Sequence, residues 1–156
     1  GCRYSGVPFT SERIMIQGIE YHAIFGNEHG YCSSSTNNNY MAEQTATIVW
    51  EKLSTLPDLP LLWNSFPFHP HQKTDMTKNR PPNEKEIAIG KGYLGYLIDL
   101  FSIEYIVPVG NKAETSLQSM GSFYNKLHDK VRHPSNGGKE EFIQGIKKFY
   151  DGFIKN

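Results

Sequence analysis

Apolar positions along this chain fall into two alternating patterns, long stretches at helical spacing and short apolar runs. Between about Met41 and Leu56, the residues Ile48, Val49, Leu53 and Leu56 recur at helical spacing, which predicts a helix. Asn39 is its expected cap, and Pro57 and Pro60 end it. Leu61-Leu62-Trp63-Asn64-Ser65-Phe66 reads as a short buried strand, followed by a loop from Pro67 to Pro82. Asn83, with Glu86 three positions on, predicts a capping box for a second helix whose apolar face is Leu94, Leu97, Ile98 and Phe101. Tyr105-Ile106-Val107-Pro108-Val109 predicts a second strand, Gly110 a turn, and about Lys112 to Met120 a short helix. Lys130-Val131-Arg132 is a brief third strand. From about Gly138 to the end, Phe142, Ile143, Ile146, Phe149, Tyr150 and Phe153 predict a last helix. The first forty residues are expected to be mostly irregular, and the Ser, Thr and Asn run from Ser33 to Asn39 to be a mobile loop.

Strand and helix alternating in this way predict an α/β fold: three α/β/α layers around a short, mostly parallel central sheet. The 156 residues are expected to form a single domain with no internal repeat. Ligands of such sheets sit beyond the carboxyl ends of the strands. The residues to inspect are therefore Asn64 to His69, Gly110-Asn111-Lys112 and His133-Pro134-Ser135.

Composition narrows the classes. Hydrophobic residues at 38% and aromatics at 13% argue for a packed domain rather than disorder. No apolar run approaches the roughly 18 residues of a membrane span, so no membrane partner is expected. Two cysteines, Cys2 and Cys32, are too few for a disulfide framework, and a reducing, cytoplasmic setting is the default. A net charge of zero argues against coating nucleic acid by bulk charge, though a local basic rim stays possible. Lys73, Lys78 and Arg80 make one such group, and Lys130, Arg132 and Lys139 another around His133. Neither Gly-x-Gly-x-x-Gly nor a phosphate-loop Gly-Lys-Ser/Thr signature occurs, which ranks a nucleotide-binding protein last. His69 with His71, and His22 with His29 and Cys32, fall short of four well-spaced ligands, so no metal and no cofactor are expected.

Two strand ends carry groups suited to a base. The amide of Asn64 offers a donor and an acceptor side by side, as a carbonyl and an adjacent N–H require, or it caps the corner after its strand. A neutral His133 can donate to developing negative charge, or it is structural. Ser135 or Asn136 can cap the last helix.

Taken in order, Gly6-Val7-Pro8-Phe9-Thr10, Trp63-Asn64-Ser65-Phe66-Pro67-Phe68-His69-Pro70, Val109-Gly110-Asn111-Lys112-Ala113 and His133-Pro134-Ser135 resemble successive motifs of the uracil-DNA glycosylase superfamily. The resemblance spans nearly the whole chain. Phe-Pro-Phe-His-Pro-His after Asn64, with only two cysteines, is similar to a cluster-free, bacterial-type branch. The resemblance implies that Phe9 stacks on a flipped base, Asn64 reads its pairing edge, and His133 stabilises the departing base anion. It further implies that Pro134 to Gly138, with Ser135, Asn136, Gly137 and Gly138, presses on the DNA backbone or wedges into the space the base leaves. Lys139, Lys78 and Arg80 fall near the proposed active edge and are candidates for a phosphate-binding rim. The partner would be DNA containing uracil or another deaminated base. Superfamily members open with a strand and a loop bearing the water-positioning residue. Gly1 to Gly6 resembles only the tail of that loop, so the domain is expected to be N-terminally incomplete. Glu12 and Glu20 are the nearest carboxylates. The alternative is a catalytically inactive member that binds nucleic acid or a protein.

Overall fold

A computed structural model of the chain describes residues 5–32 and 39–154. Residues 33–38 of the expected mobile loop, and Gly1-Cys2-Arg3-Tyr4 of the expected loop tail, lie outside the described residues. The chain divides into two compact units, Gly1–Leu62 with Pro134–Asn136, and Trp63–His133 with Gly137–Asn156.

The first unit is more ordered than its patterning predicts. Helix α1 (Glu12–Gln17) forms where irregular chain is expected. It is six residues long and depends on its cap, the Ser11 hydroxyl, which accepts the Ile14 N–H at 3.3 Å. Single 3₁₀ turns follow at Glu20–His22 and Asn27–His29. Helix α2 (Gln44–Leu53) buries Ala46, Ile48, Val49, Trp50 and Leu53, the face expected from the spacing. Its cap is Glu43, whose carboxylate accepts the Ala46 N–H at 3.0 Å, and not Asn39.

The second unit departs from expectation in its sheet. Among the described residues the one sheet is an antiparallel hairpin of β1 (His71–Gln72) and β2 (Asp75–Asn79), inside the stretch expected to be loop. Its register pairs His71 with Asn79 and Gln72 with Asp75, with a bulge between. The mostly parallel central sheet is not formed, and residues 61–66 take no strand pairing. What exists of parallel pairing is two bridges, Ile106 to Leu127 and Val109 to Val131. The physical reason is visible in the residues. Pro108 has no N–H to give to a ladder, and only its carbonyl bonds, accepting the Val131 N–H at 2.9 Å. The partner segment also carries one extra residue between the two bridges, so the register slips.

Three helices complete this unit. Helix α3 (Glu84–Leu100) opens with both halves of the expected capping box between Asn83 and Glu86. Helix α4 (Asn111–Gln118) starts after Gly110. Helix α5 (Lys139–Phe149) continues into one wider π turn, Tyr150–Ile154. Phe142 and Ile146 of α5 are buried, as is Val131. Gly145 is the point of contact, since a Cβ there would stand 2.8 Å from Val131 Cγ1. The protein is thus mixed helix and strand. Among the described residues, no helix is long and apolar enough to cross a membrane.

Candidate functional site

Within the second unit, the parallel bridges bring two strand ends to one edge. Ile106 N–H donates to Lys126 O at 2.8 Å, His128 N–H to Ile106 O at 2.9 Å, and Gly110 N–H to Val131 O at 2.9 Å. Gly110 and His133 therefore leave the paired region side by side. Gly110 has φ 84° and ψ 168°, and a Cβ there would lie 3.0 Å from the Cβ of His133. Both conditions demand glycine. The exposed Asn111 and Lys112 then open α4 beside His133, which is itself half-buried.

Asn64 is fixed by a different contact. Gly90 of α3 faces the Ser65 carbonyl so closely that a Cβ would fall 1.9 Å from its oxygen. The helix backbone thus clamps the chain next to Asn64. Trp63, just before it, keeps Nε1 buried with no acceptor among the described residues.

Phe9 belongs to the first unit and stands on a tight turn, closed by the Thr10 N–H donating to Val7 O at 3.2 Å. Pro8 suits the second position of such a turn, but Phe9 in the third takes φ 50°, a left-handed conformation that costs a bulky residue about 1–2 kcal/mol. The neighbours hold it there. The fully buried Thr10 hydroxyl donates to Pro8 O at 3.0 Å and accepts the Trp50 Nε1–H at 3.1 Å. Ser5 Oγ donates to Thr10 O at 2.5 Å. Sequence reasoning missed the roles of Thr10 and Trp50. The available signal was a threonine amid apolar neighbours, which is weak.

Glu12 is buried, and its Oε2 accepts the Met41 N–H at 3.1 Å while Arg13 N–H donates to Met41 O at 3.3 Å. The carboxylate nearest Phe9 in sequence is thereby engaged in tying Met41 to α1.

The run after His133 turns sharply. Asn136 and Gly137 take consecutive left-handed conformations, φ 52° and 78°, and Gly138 is the cap residue of α5. Neither Ser135 nor Asn136 caps the helix, because α5 begins three residues after Asn136 and its cap makes no side-chain bond. Pro134 is fully buried, Asn136 and Gly137 are exposed, and Lys139 is half-buried. Glu140 and Glu141 sit in the first turn of α5 and offset the attraction of its N-terminus for anions.

The basic groups divide. Lys78 is exposed and pairs loosely with Asp75 at 3.7 Å. Arg80 is built into the fold: its two terminal nitrogens fork onto Glu86 at 2.7 and 2.6 Å, and Nε donates to His71 O at 3.0 Å. The fork raises the Arg80 pKa and, with the Asn83 N–H bond, lowers that of Glu86 to about 2. Lys130 pairs with Glu114 at 2.7 Å, and Arg132 donates to the carbonyl of His133 at 3.1 Å. His69 Nε2 meets Asn79 Oδ1 at 2.6 Å and His71 Nδ1 meets Gln72 O at 2.9 Å, so both rings brace the hairpin. Among the described residues, no group of three or more His, Cys, Asp or Glu side chains is placed to hold a metal ion.

Set against protein-family models, curated proteins and solved structures, the chain matches none.

Proposed function

We propose that this chain is a DNA base-excision glycosylase that hydrolyses the N-glycosidic bond of uracil, or a related deaminated base, flipped out of DNA. The observation that carries the reading is the side-by-side exit of Gly110 and His133 from a parallel-paired segment, the position where α/β proteins hold ligands. A second support is the strained Phe9 turn, since left-handed non-glycine residues held by buried partners concentrate at functional sites.

In this reading Phe9 of the first unit offers a ring on which a base can stack, and Asn64 of the second offers an amide suited to a base's carbonyl and N–H edge. As the sugar–base bond lengthens, positive charge grows on the sugar and negative charge on the base. His133 donates a hydrogen bond to the base carbonyl and stabilises the anion. Ser135, Asn136, Gly137 and Lys139 approach the DNA backbone, where the exposed Gly137 admits a phosphate closely, while the buried Gly138 holds the start of α5. Lys78 joins the rim as an exposed cation. Arg80 contributes there only through the carbonyls and the carboxylate it already holds in place. No cofactor is needed, and cysteine usage favours a reducing, cytoplasmic setting.

One observation favours a second reading, a base-binding module without catalysis. Glu12, the carboxylate nearest Phe9 in sequence, already accepts a main-chain N–H and lies buried.

The test uses labelled oligonucleotides carrying a single uracil, hypoxanthine or xanthine, followed by alkali. Cleavage at one base, lost in both His133→Ala and Asn64→Ala, is the expected result. Base-specific binding without cleavage, lost in Phe9→Ala, would establish the second reading. Neither binding nor cleavage by folded protein would remove both.

A further inference from the structure

We propose that Asn136 is a self-modifying site, at which the main-chain nitrogen of Gly137 attacks the Asn136 side-chain amide and converts the residue to aspartate and isoaspartate. Asparagine is prone to this chemistry where the next residue has no side chain to shield its nitrogen. Of the asparagines in the chain, Asn136 alone is followed by glycine. The structure supplies the other requirements. Asn136 and Gly137 are both exposed, so water reaches them. They are the central residues of a tight turn, left-handed at φ 52° and 78°, outside every helix and strand. Neither hydrogen-bonds to another described residue, so the Gly137 N–H is free to lose its proton and the Asn136 amide is free to rotate toward it. Nothing stands within 4 Å of where a Gly137 Cβ would be, which leaves room for a ring to close there. Asn79 and Asn83 are exposed as well, but Arg80 and Glu84 follow them. Their side chains are also engaged, by His69 and by the Glu86 N–H.

The reaction is a cyclisation followed by hydrolysis. The Gly137 nitrogen gives its proton to solvent base and bonds to Asn136 Cγ. The bond from Cγ to the side-chain nitrogen breaks, and that nitrogen takes a proton from water and leaves as ammonia. Water then adds to one carbonyl of the succinimide ring and reopens it. The product is aspartate or, with the main chain routed through Cβ, isoaspartate. The sum is one water consumed and one ammonia released, without oxidant or reductant. The consequence for DNA rests on the proposed function. A carboxylate replaces a neutral amide between Arg132 and Lys139, in the segment read as approaching phosphates, and repels them. Conversion runs one way, so it retires DNA binding as the protein ages.

The full chain is held at mildly alkaline pH, sampled over days, cut with trypsin and read by mass spectrometry, with a sample cut at once as the zero point. Fragment His133–Lys139 carries Asn136 and no other asparagine. It is expected to show NH2 replaced by OH, to separate into two chromatographic forms, and to be methylated by an isoaspartate-specific methyltransferase. Asn136→Gln should abolish all three. Fragment Asn79–Lys85, which carries Asn79 and Asn83, should stay unchanged. An Asn136 fragment that stays intact, or that changes no faster than this control, overturns the proposal. Asn136→Asp should weaken binding to uracil-containing DNA and reduce the log–log salt slope by about one. Binding equal to that of the native chain overturns the consequence for DNA. Binding by neither chain removes the proposed function, while the mass readout still decides the conversion.

Discussion

The two units of the chain are held in different ways. In the second, order comes from helices packed closely at glycines, Gly90 of α3 against the Ser65 carbonyl and Gly145 of α5 against the Val131 side chain, with Phe142 buried. In the first, α2 supplies the apolar face, but the segment around Phe9 is held by polar side chains that are buried and bonded to main chain. Thr10, Ser11 and Glu12 are each almost fully buried, and bond Pro8, Ile14 and Met41. Buried polar groups are costly unless satisfied, so such a segment takes one conformation or fails. The Phe9 turn is thus held bond by bond, whereas the helices of the second unit are held by packed area.

The largest effect is expected where packing alone is removed. Phe142→Ala empties a fully buried site in α5 and should cost about 3–5 kcal/mol in urea denaturation. The two tryptophans, Trp50 and Trp63, fall one in each unit and separate the readouts. If the loss registered as strongly on Trp50 as on Trp63, the units would not differ as described.

Thr10→Val keeps the volume and deletes the hydroxyl, leaving the Trp50 Nε1–H without its acceptor. A loss of about 1–3 kcal/mol is expected, from desolvation and not from packing. On the proposed function, base binding should fall further than stability does, because the Phe9 turn loses a brace. Equal losses of binding in Thr10→Val and in a Ser11→Ala control would count against that special role.

Gly110→Ala costs about 1–3 kcal/mol for a positive-φ, extended-ψ backbone that is essentially glycine's own. Its Cβ must also shift His133 by a few tenths of an ångström, so on the proposed function cleavage should drop while Phe9-dependent binding persists. Unchanged cleavage would separate Gly110 from the site.

How much of this was legible in the sequence follows the same division. The faces of α2, α3 and α5 and the capping box at Asn83 show in apolar spacing and cap chemistry, because helices repeat. The parallel approach of residues 105–109 and 130–132 was legible too, but not its reduction to two bridges, which depends on Pro108 and one extra residue in the partner. The hairpin at His71–Asn79 has no legible strand pattern, because β1 is two residues long and its stability comes from Arg80, His69 and His71 bonding outside the ladder. Helix α1 and the Phe9 turn were illegible for a related reason: single side-chain-to-main-chain bonds have no period. Arg80 shows the hazard in reverse. A basic residue in a basic loop reads as a phosphate ligand until its partner, Glu86, six residues on, is seen.

That same pair offers the finest probe of the comparison, because it is a polar lock in the unit whose helices pack at glycines. The Glu86 carboxyl is lowered from 4.5 to about 2, first by the Arg80 fork and then by the Asn83 N–H. A lowered acid binds its proton more weakly folded than unfolded. The stabilisation is therefore complete above pH 4.5 and fades as pH falls toward 2. Glu86→Gln should lower stability modestly near neutrality, since the pair is partly exposed and screened by solvent. The gap between native and variant chains should then close as pH drops through that window. Added salt should narrow it at neutral pH as well. Stability curves that stay parallel down to pH 2 would mean that Arg80 holds the hairpin through the carbonyls of His71 and Pro81 alone.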